Sequence, residues 1–222
     1  MTKKKQNTNN LVFLKELPHP YDGPEQTRRE AMALICQGEV AKGKAALEHL
    51  YQQGDLWAGH TLAYGYQEEW FGEVNHELAV TIYRDIIARG SKWTMSNLAY
   101  CYQTGSGVRK NMHWAIYWYK KAIELGDDKA LINLAYLYVF GPKKYRDIEA
   151  GVALCKRASK DYAEAYNLLG ICNAKGLGMP VNLLKAKHLF EKALDLGDDE
   201  VYQKNLEKVI NKIKSTKKNI PL

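Results

Sequence analysis

The chain has 222 residues, of which 46% are hydrophobic, and its formal net charge is +7. A chain of this length and composition can bury a substantial core, so it should fold. The longest apolar run near the N-terminus, Leu11–Leu14, is far too short for a signal peptide or a membrane span. We therefore expect a cytoplasmic protein with no membrane insertion.

Positive charge is concentrated at the two ends of the chain, in Lys3–Lys5 and in the run from Lys204 to Lys218. Basic charge can attract nucleic acid, but specific binding also needs a recognisable reading element, which the sequence lacks. We therefore do not expect nucleic acid as a partner, and loss of DNA binding at moderate salt would test this.

The four cysteines form no CxxC pair and have no even spacing. Three of them sit among apolar residues of predicted helices, which favours buried, free thiols in a reducing compartment. The residues are Cys36, Cys101, Cys155 and Cys172.

The N-terminal part of the chain is predicted to contain a tail and one divergent helix pair. Residues 1–23 are mostly polar and are predicted to form a mobile basic tail with an extended segment. Residues 24–55 fit a short helix pair, because Pro24 suits a helix start and Gly38 separates two helical patterns.

From residue 56 onward, one pattern recurs four times at a nearly constant period. Key leucines stand 36, 36 and 35 residues apart. They are Leu62, Leu98, Leu134 and Leu169. Thirteen residues after each leucine comes a polar residue that can cap a second helix, and four residues later comes a small residue that permits close packing. These pairs are Asn75 and Ala79, Asn111 and Ala115, Asp147 and Gly151, and Asn182 and Ala186.

Glycines end most of these units. Gly90, Gly126 and Gly197 follow their caps by fifteen residues, where a left-handed backbone can terminate a helix. The third unit has Tyr162 at this position, so a different boundary is predicted there. The predicted repeats are 56–91, 92–127, 128–163 and 164–199.

A unit of this size cannot bury its apolar face alone, so the units should stack on one another. The predicted fold is all-α: a right-handed α/α superhelical solenoid of helix-turn-helix repeats of about 36 residues. Residues 200–222 are predicted to form a capping helix and a basic tail. The apolar face of that helix comprises Leu206, Val209, Ile210 and Ile213.

Two stretches carry a family resemblance: NLAYCYQTGSGVRKNMHWAIYWYKKAIELGD at residues 97–127 and AEAYNLLGICNAKGLGMPVNLLKAKHLFEKALDLGD at residues 163–198. They resemble SEL-one-like repeats, relatives of tetratricopeptide repeats, in their Leu-Gly, Gly-x-Gly, Lys-Ala, Trp-Tyr and terminal Gly elements. The resemblance covers residues 56–199 well and the first pair loosely. The chain departs from the pattern at Asn173, which replaces the usual Tyr.

The resemblance implies that the first helix of each pair lines a concave surface. Residues spaced three or four apart, away from the face of Leu62 and Tyr66, should then face a protein partner. The candidate partner-binding residues are Trp57, His60, Tyr64, Gln67, Trp93, Ser96, Tyr100, Gln103, Ile132 and Tyr136. Aromatic side chains offer contact area and amides can hydrogen-bond a peptide backbone. The alternative is that the tyrosines of this ladder pack in the core.

Aromatic residues of the second helices are interpreted differently, as packing residues. They are Trp114, Tyr117, Trp118 and Tyr119.

The sequence contains no recognisable catalytic or metal-binding constellation. None of the six histidines forms a metal-ligand spacing, and Ser106 lies in a glycine turn, not in a nucleophile elbow. No phosphate loop or dinucleotide fingerprint is present, so we predict no cofactor, no metal and no catalytic residue. Some members of the resembled family bind or hydrolyse β-lactams, but those carry paired cysteines that this chain lacks.

The sequence therefore predicts a non-enzymatic scaffold or adaptor that binds a protein in its concave groove. Repeats similar to these also serve in bacteria as immunity proteins that neutralise a toxin, and this alternative stays open. A β-lactam-binding or hydrolysing enzyme is a further alternative, disfavoured by the cysteines. The partner's identity and the oligomeric state are left open.

Overall fold

The computed structural model describes residues 25–158 and 162–218, and all regular secondary structure in these ranges is helical. The predicted N-terminal tail at residues 1–23 and the last four residues lie outside the described part of the chain. The helices are α1 (Glu25–Cys36), α2 (Val40–Gln52), α3 (Leu56–Gln67), α4 (His76–Ala88), α5 (Met95–Thr104), α6 (Met112–Glu124), α7 (Asp128–Phe140), α8 (Ile148–Ala158), α9 (Ala163–Lys175), α10 (Leu183–Leu196) and α11 (Glu200–Lys218). A short 3-10 turn at Lys143–Tyr145 precedes α8.

The chain forms two compact units. Unit 1 contains α1 to α4 and the loop Gly105–Arg109, and unit 2 contains α5 to α11. Within each unit, helices pack mainly against the helices that precede and follow them in the chain. Contacts between sequence neighbours are the property that defines helical-repeat solenoids. The predicted all-α solenoid of helix pairs is therefore confirmed.

The predicted caps of the second helices are confirmed in all four repeats. In each, the side-chain oxygen accepts a hydrogen bond from a main-chain N–H in the first turn of the following helix, at 2.9 to 3.2 Å. The acceptors and donors are Asn75 with Leu78, Asn111 with His113 and Trp114, Asp147 with Ala150, and Asn182 with Lys185. These bonds satisfy amide groups that a helix start leaves without a partner.

The small residues one turn into each second helix are buried, as their spacing predicts. Ala79, Ala115 and Ala186 are fully buried. At Gly151 a Cβ atom would lie 2.8 Å from Cγ2 of Val139, so only glycine fits this approach of α8 to α7. The spacing therefore identifies the positions where the two helices of a pair meet.

Of the predicted left-handed terminators, Gly90 and Gly126 have φ values of +98° and +89°. The prediction is wrong for Gly197, which has a φ of −167° and an extended backbone. The chain leaves α10 in an extended conformation before α11 begins at Glu200, so no left-handed reversal is needed there.

The first helices are buried over most of their circumference. Eight of the twelve residues of α3 are buried, as are seven of the thirteen in α7. The reason is that α3 packs against both α2 and α4, and α7 against both α6 and α8. Residues that lie away from the face of Leu62 and Tyr66 are therefore not all open to solvent, which restricts the candidate surface.

Candidate partner-binding surface

In unit 1, Trp57 belongs to the core. Its side chain is only 8% exposed, and the guanidinium of Arg28 lies 5.7 Å from the centre of its ring. The expectation that Trp57 faces a partner is therefore corrected: its indole packs between α3 and α1, where it contacts a buried cation.

His60 lies in a hydrogen-bonded network of unit 1. Its Nδ1 atom is 3.2 Å from Oγ1 of Thr94, and that hydroxyl is 2.8 Å from Oγ of Ser91. Burial lowers the pKa of His60 to about 4, because desolvation disfavours the imidazolium. The ring is therefore neutral near pH 7, and its hydrogen bond ties α3 to the turn before α5.

Tyr64 keeps a partly exposed ring, as does Trp93. The ring of Tyr64 makes an edge contact with Trp70, with centroids 5.2 Å apart, and burial raises the pKa of its phenol. Gln67, one turn further along α3, accepts a hydrogen bond from the hydroxyl of Tyr83 at 3.3 Å. The ring of Tyr64 thus stays partly exposed, and the side-chain amide of Gln67 links α3 to α4.

In unit 2, Tyr100 is the most accessible residue of the predicted ladder, with 44% of its surface exposed. Ser96 and Ile132 are buried, at 8% and 6% exposed. Ile132 packs with Ala158 and Ala165 of α8 and α9. The expectation that Ser96 and Ile132 face a partner is therefore corrected, since both side chains are buried within unit 2.

Tyr136 is half-buried and takes part in a polar chain that crosses three helices. Its hydroxyl accepts a hydrogen bond from Nδ2 of Asn167 at 3.5 Å, and Oδ1 of Asn167 accepts one from Nδ2 of Asn205 at 2.9 Å. Burial raises the pKa of the Tyr136 phenol. Its ring lies beside Phe140, which is 42% exposed, with centroids 6.0 Å apart. The two rings give α7 an aromatic edge that solvent reaches.

Gln67 and Gln103 have a shared structural role that the sequence reasoning missed. Gln103 accepts a hydrogen bond from the hydroxyl of Tyr119 at 2.9 Å, as Gln67 does from Tyr83. Both tyrosines are fully buried. The signal was present in the spacing, because each tyrosine follows its glutamine by sixteen residues in consecutive repeats.

Two second-helix aromatics that the sequence interpretation assigned to packing are half-exposed. Trp114 and Tyr117 of α6 are 47% and 46% exposed, and their rings form a cluster with Tyr102 and Trp118. Tyr119, in contrast, is buried as expected. The buried stripe of α6 follows Ala115, Tyr119 and Ala122, which turns Trp114 and Tyr117 outward.

Groups that could support chemistry are sparse in the described ranges. There, no three His, Cys, Asp or Glu side chains are placed to hold a metal ion. None of the four cysteines, all within these ranges, forms a disulfide, and all but Cys36 are buried. Burial raises the pKa of Cys155 to about 12, so its thiolate is disfavoured. No helix of residues 25–158 and 162–218 is both long and apolar enough to cross a membrane.

Three consecutive segments match the family model of the Sel1 repeat, at residues 94–127, 128–161 and 163–198. These segments span α5 to α10. No curated protein is significantly similar to the chain in sequence.

Solved structures with the same fold are known. A Sel1 repeat protein from Oxalobacter formigenes is 25% identical, with a TM-score of 0.59 over 76% of this chain and 49% of its own. A protective antigen of uropathogenic Escherichia coli with an SLR fold is 21% identical, with a TM-score of 0.67 over 84% of this chain and 43% of its own. The chain thus spans about half the length of these two proteins. An immunity protein from Pseudomonas aeruginosa is 21% identical, with a TM-score of 0.54 over 88% of this chain and 85% of its own.

Proposed function

Because the chain belongs to the Sel1-like repeat family, we propose that it is a cytoplasmic, non-enzymatic scaffold or adaptor that binds a protein partner. The partner contacts are made by the first helices, through the tyrosine position that recurs as Tyr64 in unit 1 and as Tyr100 and Tyr136 in unit 2. Trp93 and the accessible parts of Gln67 and Gln103 extend these contacts.

One observation carries the proposal. The tyrosine two residues after the key leucine stays accessible in three successive repeats: Tyr64 and Tyr136 are partly exposed, and Tyr100 is 44% exposed. Exposed aromatic rings are costly to hydrate and supply much of the affinity at protein interfaces. At the exposed position of Tyr100 a solvated polar residue would serve folding equally well, so a binding role explains the tyrosine there better.

The chemistry of the described residues supports a binding function over catalysis. Burial raises the pKa of Cys101 and of Cys172 to about 11, which makes both thiols poor nucleophiles near pH 7. The neutral His60 is hydrogen-bonded to Thr94, inside unit 1. These groups have structural roles that need no substrate.

The proposal is tested by isolating the tagged chain from the cytosol of its native cells and comparing Tyr100→Ala with Tyr117→Ala. The two tyrosines are matched, with 44% and 46% exposure, but they lie on a first and a second helix. We expect Tyr100→Ala to weaken the binding of a stoichiometric partner about 30-fold, because the change removes an interface anchor. Tyr117→Ala should retain the partner.

The reverse result would overturn the proposal. If Tyr117→Ala releases the partner and Tyr100→Ala does not, the exposed aromatic cluster of α6 is the binding surface. Circular dichroism of both variants controls for unfolding, which is not expected at half-exposed positions.

A second candidate function is neutralisation of a toxin by a dedicated immunity protein. It is favoured by the Pseudomonas aeruginosa immunity protein, because the likeness extends over 88% of this chain and 85% of the other. A neutralising protein should hold one partner with very slow dissociation, whereas an adaptor should exchange several. The dissociation rate of the captured partner, and its toxicity when expressed without this chain, separate the two functions.

A further inference from the structure

One repeat of unit 2 lacks a side chain that the other repeats have. The position occupied by Tyr66, Tyr102 and Tyr138 is taken by Asn173 in α9. In all four repeats the main-chain carbonyl of this residue accepts a hydrogen bond from the main-chain N–H of the capping residue nine positions later, at 2.8 to 3.1 Å. The loop is therefore anchored in the same way each time, and only the side chain differs.

The tyrosines at this position pack against the loop or against neighbouring helices. Tyr66 is 6% exposed and makes an edge contact with Phe71, with ring centroids 5.1 Å apart. Tyr102 and Tyr138 pack against the core cluster around Ala115 and Tyr119. An asparagine is much smaller than a tyrosine, so the corresponding space of the fourth repeat is not filled by its own side chain.

A cavity of about 410 Å³ lies at Asn173. Its apolar wall comes from three helices, with Val152 of α8, Leu169 of α9 and Leu189 of α10, and the loop at residues 178–182 closes one side. Cavities of roughly 300 to 1,000 Å³ with apolar walls and a few polar groups are typical of small-molecule sites. The size and lining therefore suit a compact ring.

The polar groups of this cavity define the rest of the ligand. Lys156 of α8 and Lys185 of α10 contribute to its lining, whereas none of the described lining residues is acidic. Asn173 is 3% exposed, and its Nδ2 donates to the main-chain oxygen of Leu169 at 2.8 Å, which leaves Oδ1 to act as an acceptor. Two ammonium groups favour an anion, and an amide oxygen can accept a hydrogen bond from a phenol.

We propose that this cavity binds a small aromatic carboxylate. The ring occupies the space that a tyrosine fills in the other repeats, and the carboxylate lies near Lys156 and Lys185. This site belongs to unit 2 alone and does not depend on the proposed partner surface, so either proposal can fail without the other.

The direct test is a titration of the full chain with 4-hydroxyphenylacetate, followed by methyl signals in NMR spectra. Saturable shifts are expected for Val152, Leu169, Leu189 and Met179, which line the cavity. Two control compounds separate the parts of the ligand: p-cresol has the ring without the carboxylate, and acetate has the carboxylate without the ring. Each should bind more weakly than the full acid.

Three variants complete the test. Asn173→Tyr should abolish the shifts while preserving the fold, because three repeats already hold tyrosine at this position. Lys185→Gln should weaken binding about two- to fivefold, as expected for a partly screened charge. Lys192→Gln is the matched control on α10, because its ammonium lies over Tyr166 and does not line the cavity.

Binding that persists in a folded Asn173→Tyr variant, or shifts centred on other methyl groups, would overturn the proposal. If Asn173→Tyr does not fold, the double variant Lys156→Glu, Lys185→Glu decides, since both lysines are exposed. It should lower the affinity more than tenfold, and an unchanged affinity would contradict the assignment. The proposal is also contradicted if 4-hydroxyphenylacetate causes no saturable shift in the unmodified chain.

Discussion

Two glycines at the same repeat position have different backbone conformations. Gly126 follows α6 with a φ of +89°, which L-amino acids with a side chain rarely adopt, and no atom would obstruct an added Cβ. Gly197 follows α10 with a φ of −167°, which any residue can adopt. A Cβ there would make an ordinary contact with Ala163 at 3.7 Å. Only Gly126 therefore needs to be glycine.

We predict that Gly126→Ala lowers the free energy of unfolding by about 1 kcal/mol, the cost of forcing alanine into a left-handed conformation. Gly197→Ala should change it by less than about 0.5 kcal/mol, because the conformation is already accessible. Urea denaturation of the two variants measures both values. Equal losses would contradict the assigned backbone conformations.

This difference could not be predicted from local sequence, because Leu-Gly-Asp-Asp occurs at both places, at residues 125–128 and 196–199. The first Asp caps the next helix after Gly126, with Oδ1 of Asp127 accepting from the main-chain N–H of Ala130. After Gly197 the cap is the second Asp, with Oδ1 of Asp199 accepting from Val201. One additional residue in the connection changes the conformation that the glycine needs, and that choice depends on how α11 packs.

At the scale of the helical elements, a buried ion pair ties α1 to α3. The Nε atom of Arg28 donates to Oδ2 of Asp55 at 2.6 Å, and their side chains are 10% and 6% exposed. Oδ1 of the same carboxylate accepts from the main-chain N–H of Ala58, so Asp55 also caps α3. Removing the cation would leave a buried carboxylate without its charge partner.

We predict that Arg28→Met destabilises the fold by about 3 kcal/mol, because breaking a buried ion pair leaves an uncompensated charge. Its neighbour supplies the control: Arg29 pairs with Glu25 on the exposed surface of α1. Arg29→Met should cost less than about 0.5 kcal/mol. Thermal and urea unfolding measure the stability of both variants. Equal losses in Arg28→Met and Arg29→Met would show that the buried pair stabilises the fold no more than the exposed pair does.

The network of His60 predicts a pH dependence of stability. The pKa of His60 is about 4 in the folded chain and 6.5 is its ordinary value, so the unfolded chain binds this proton more readily between those values. The free energy of unfolding should therefore fall as the pH is lowered from 6.5 towards 4. The full contribution of the neutral ring is present above pH 6.5.

His60→Gln should remove this component while keeping a hydrogen-bonding side chain near Thr94. The slope of the free energy of unfolding against pH, measured between pH 4 and 6.5, should be shallower in the variant by up to about 1 kcal/mol per pH unit. Identical slopes would mean that His60 is solvated enough to titrate normally.

The limits of sequence reasoning at this scale are visible at Trp57, Ser96 and Ile132. Helical spacing correctly placed them away from Leu62 and its equivalents, but it could not tell an open face from one covered by another helix. Tyr100 and Tyr136 lie one turn after Ser96 and Ile132, and Tyr64 lies two turns after Trp57, where coverage is incomplete. The spacing defines which residues share a face, whereas the packing of neighbouring helices decides which faces stay open.

At the scale of the whole molecule, the 36-residue period carried most of the fold prediction. It located the caps and small residues of each second helix, because those roles follow from backbone geometry that repeats. It could not give the partner, because a partner depends on the few accessible side chains of each repeat. The cavity at Asn173 was also missed, although the sequence marked the position by its departure from tyrosine.

The last helix of unit 2 packs against α10 through one apolar face. Val209 is 5% exposed and packs with Ala186 and Phe190 of α10, together with Leu206 and Ile213 of its own helix. Val201 lies near the start of the same helix and is 54% exposed. Val209 thus lies on the covered face of α11, and Val201 lies on its solvated face.

We predict that Val209→Asp destabilises the chain by more than about 2 kcal/mol, because it buries a carboxylate in an apolar contact. Val201→Asp should be nearly neutral, since its side chain stays in water. Circular dichroism during urea unfolding measures both. A tolerated Val209→Asp would contradict the role of α11 as a cap.

The most direct test of the proposed function is hydrogen–deuterium exchange of the chain alone and in complex with the partner recovered from its native cells. We predict added protection in the first helices of unit 2, at residues 95–104 and 128–140. The second helices at residues 112–124 and 148–158 should be unchanged. Protection confined to the second helices, with α5 and α7 unaffected, would contradict the assignment of the binding surface.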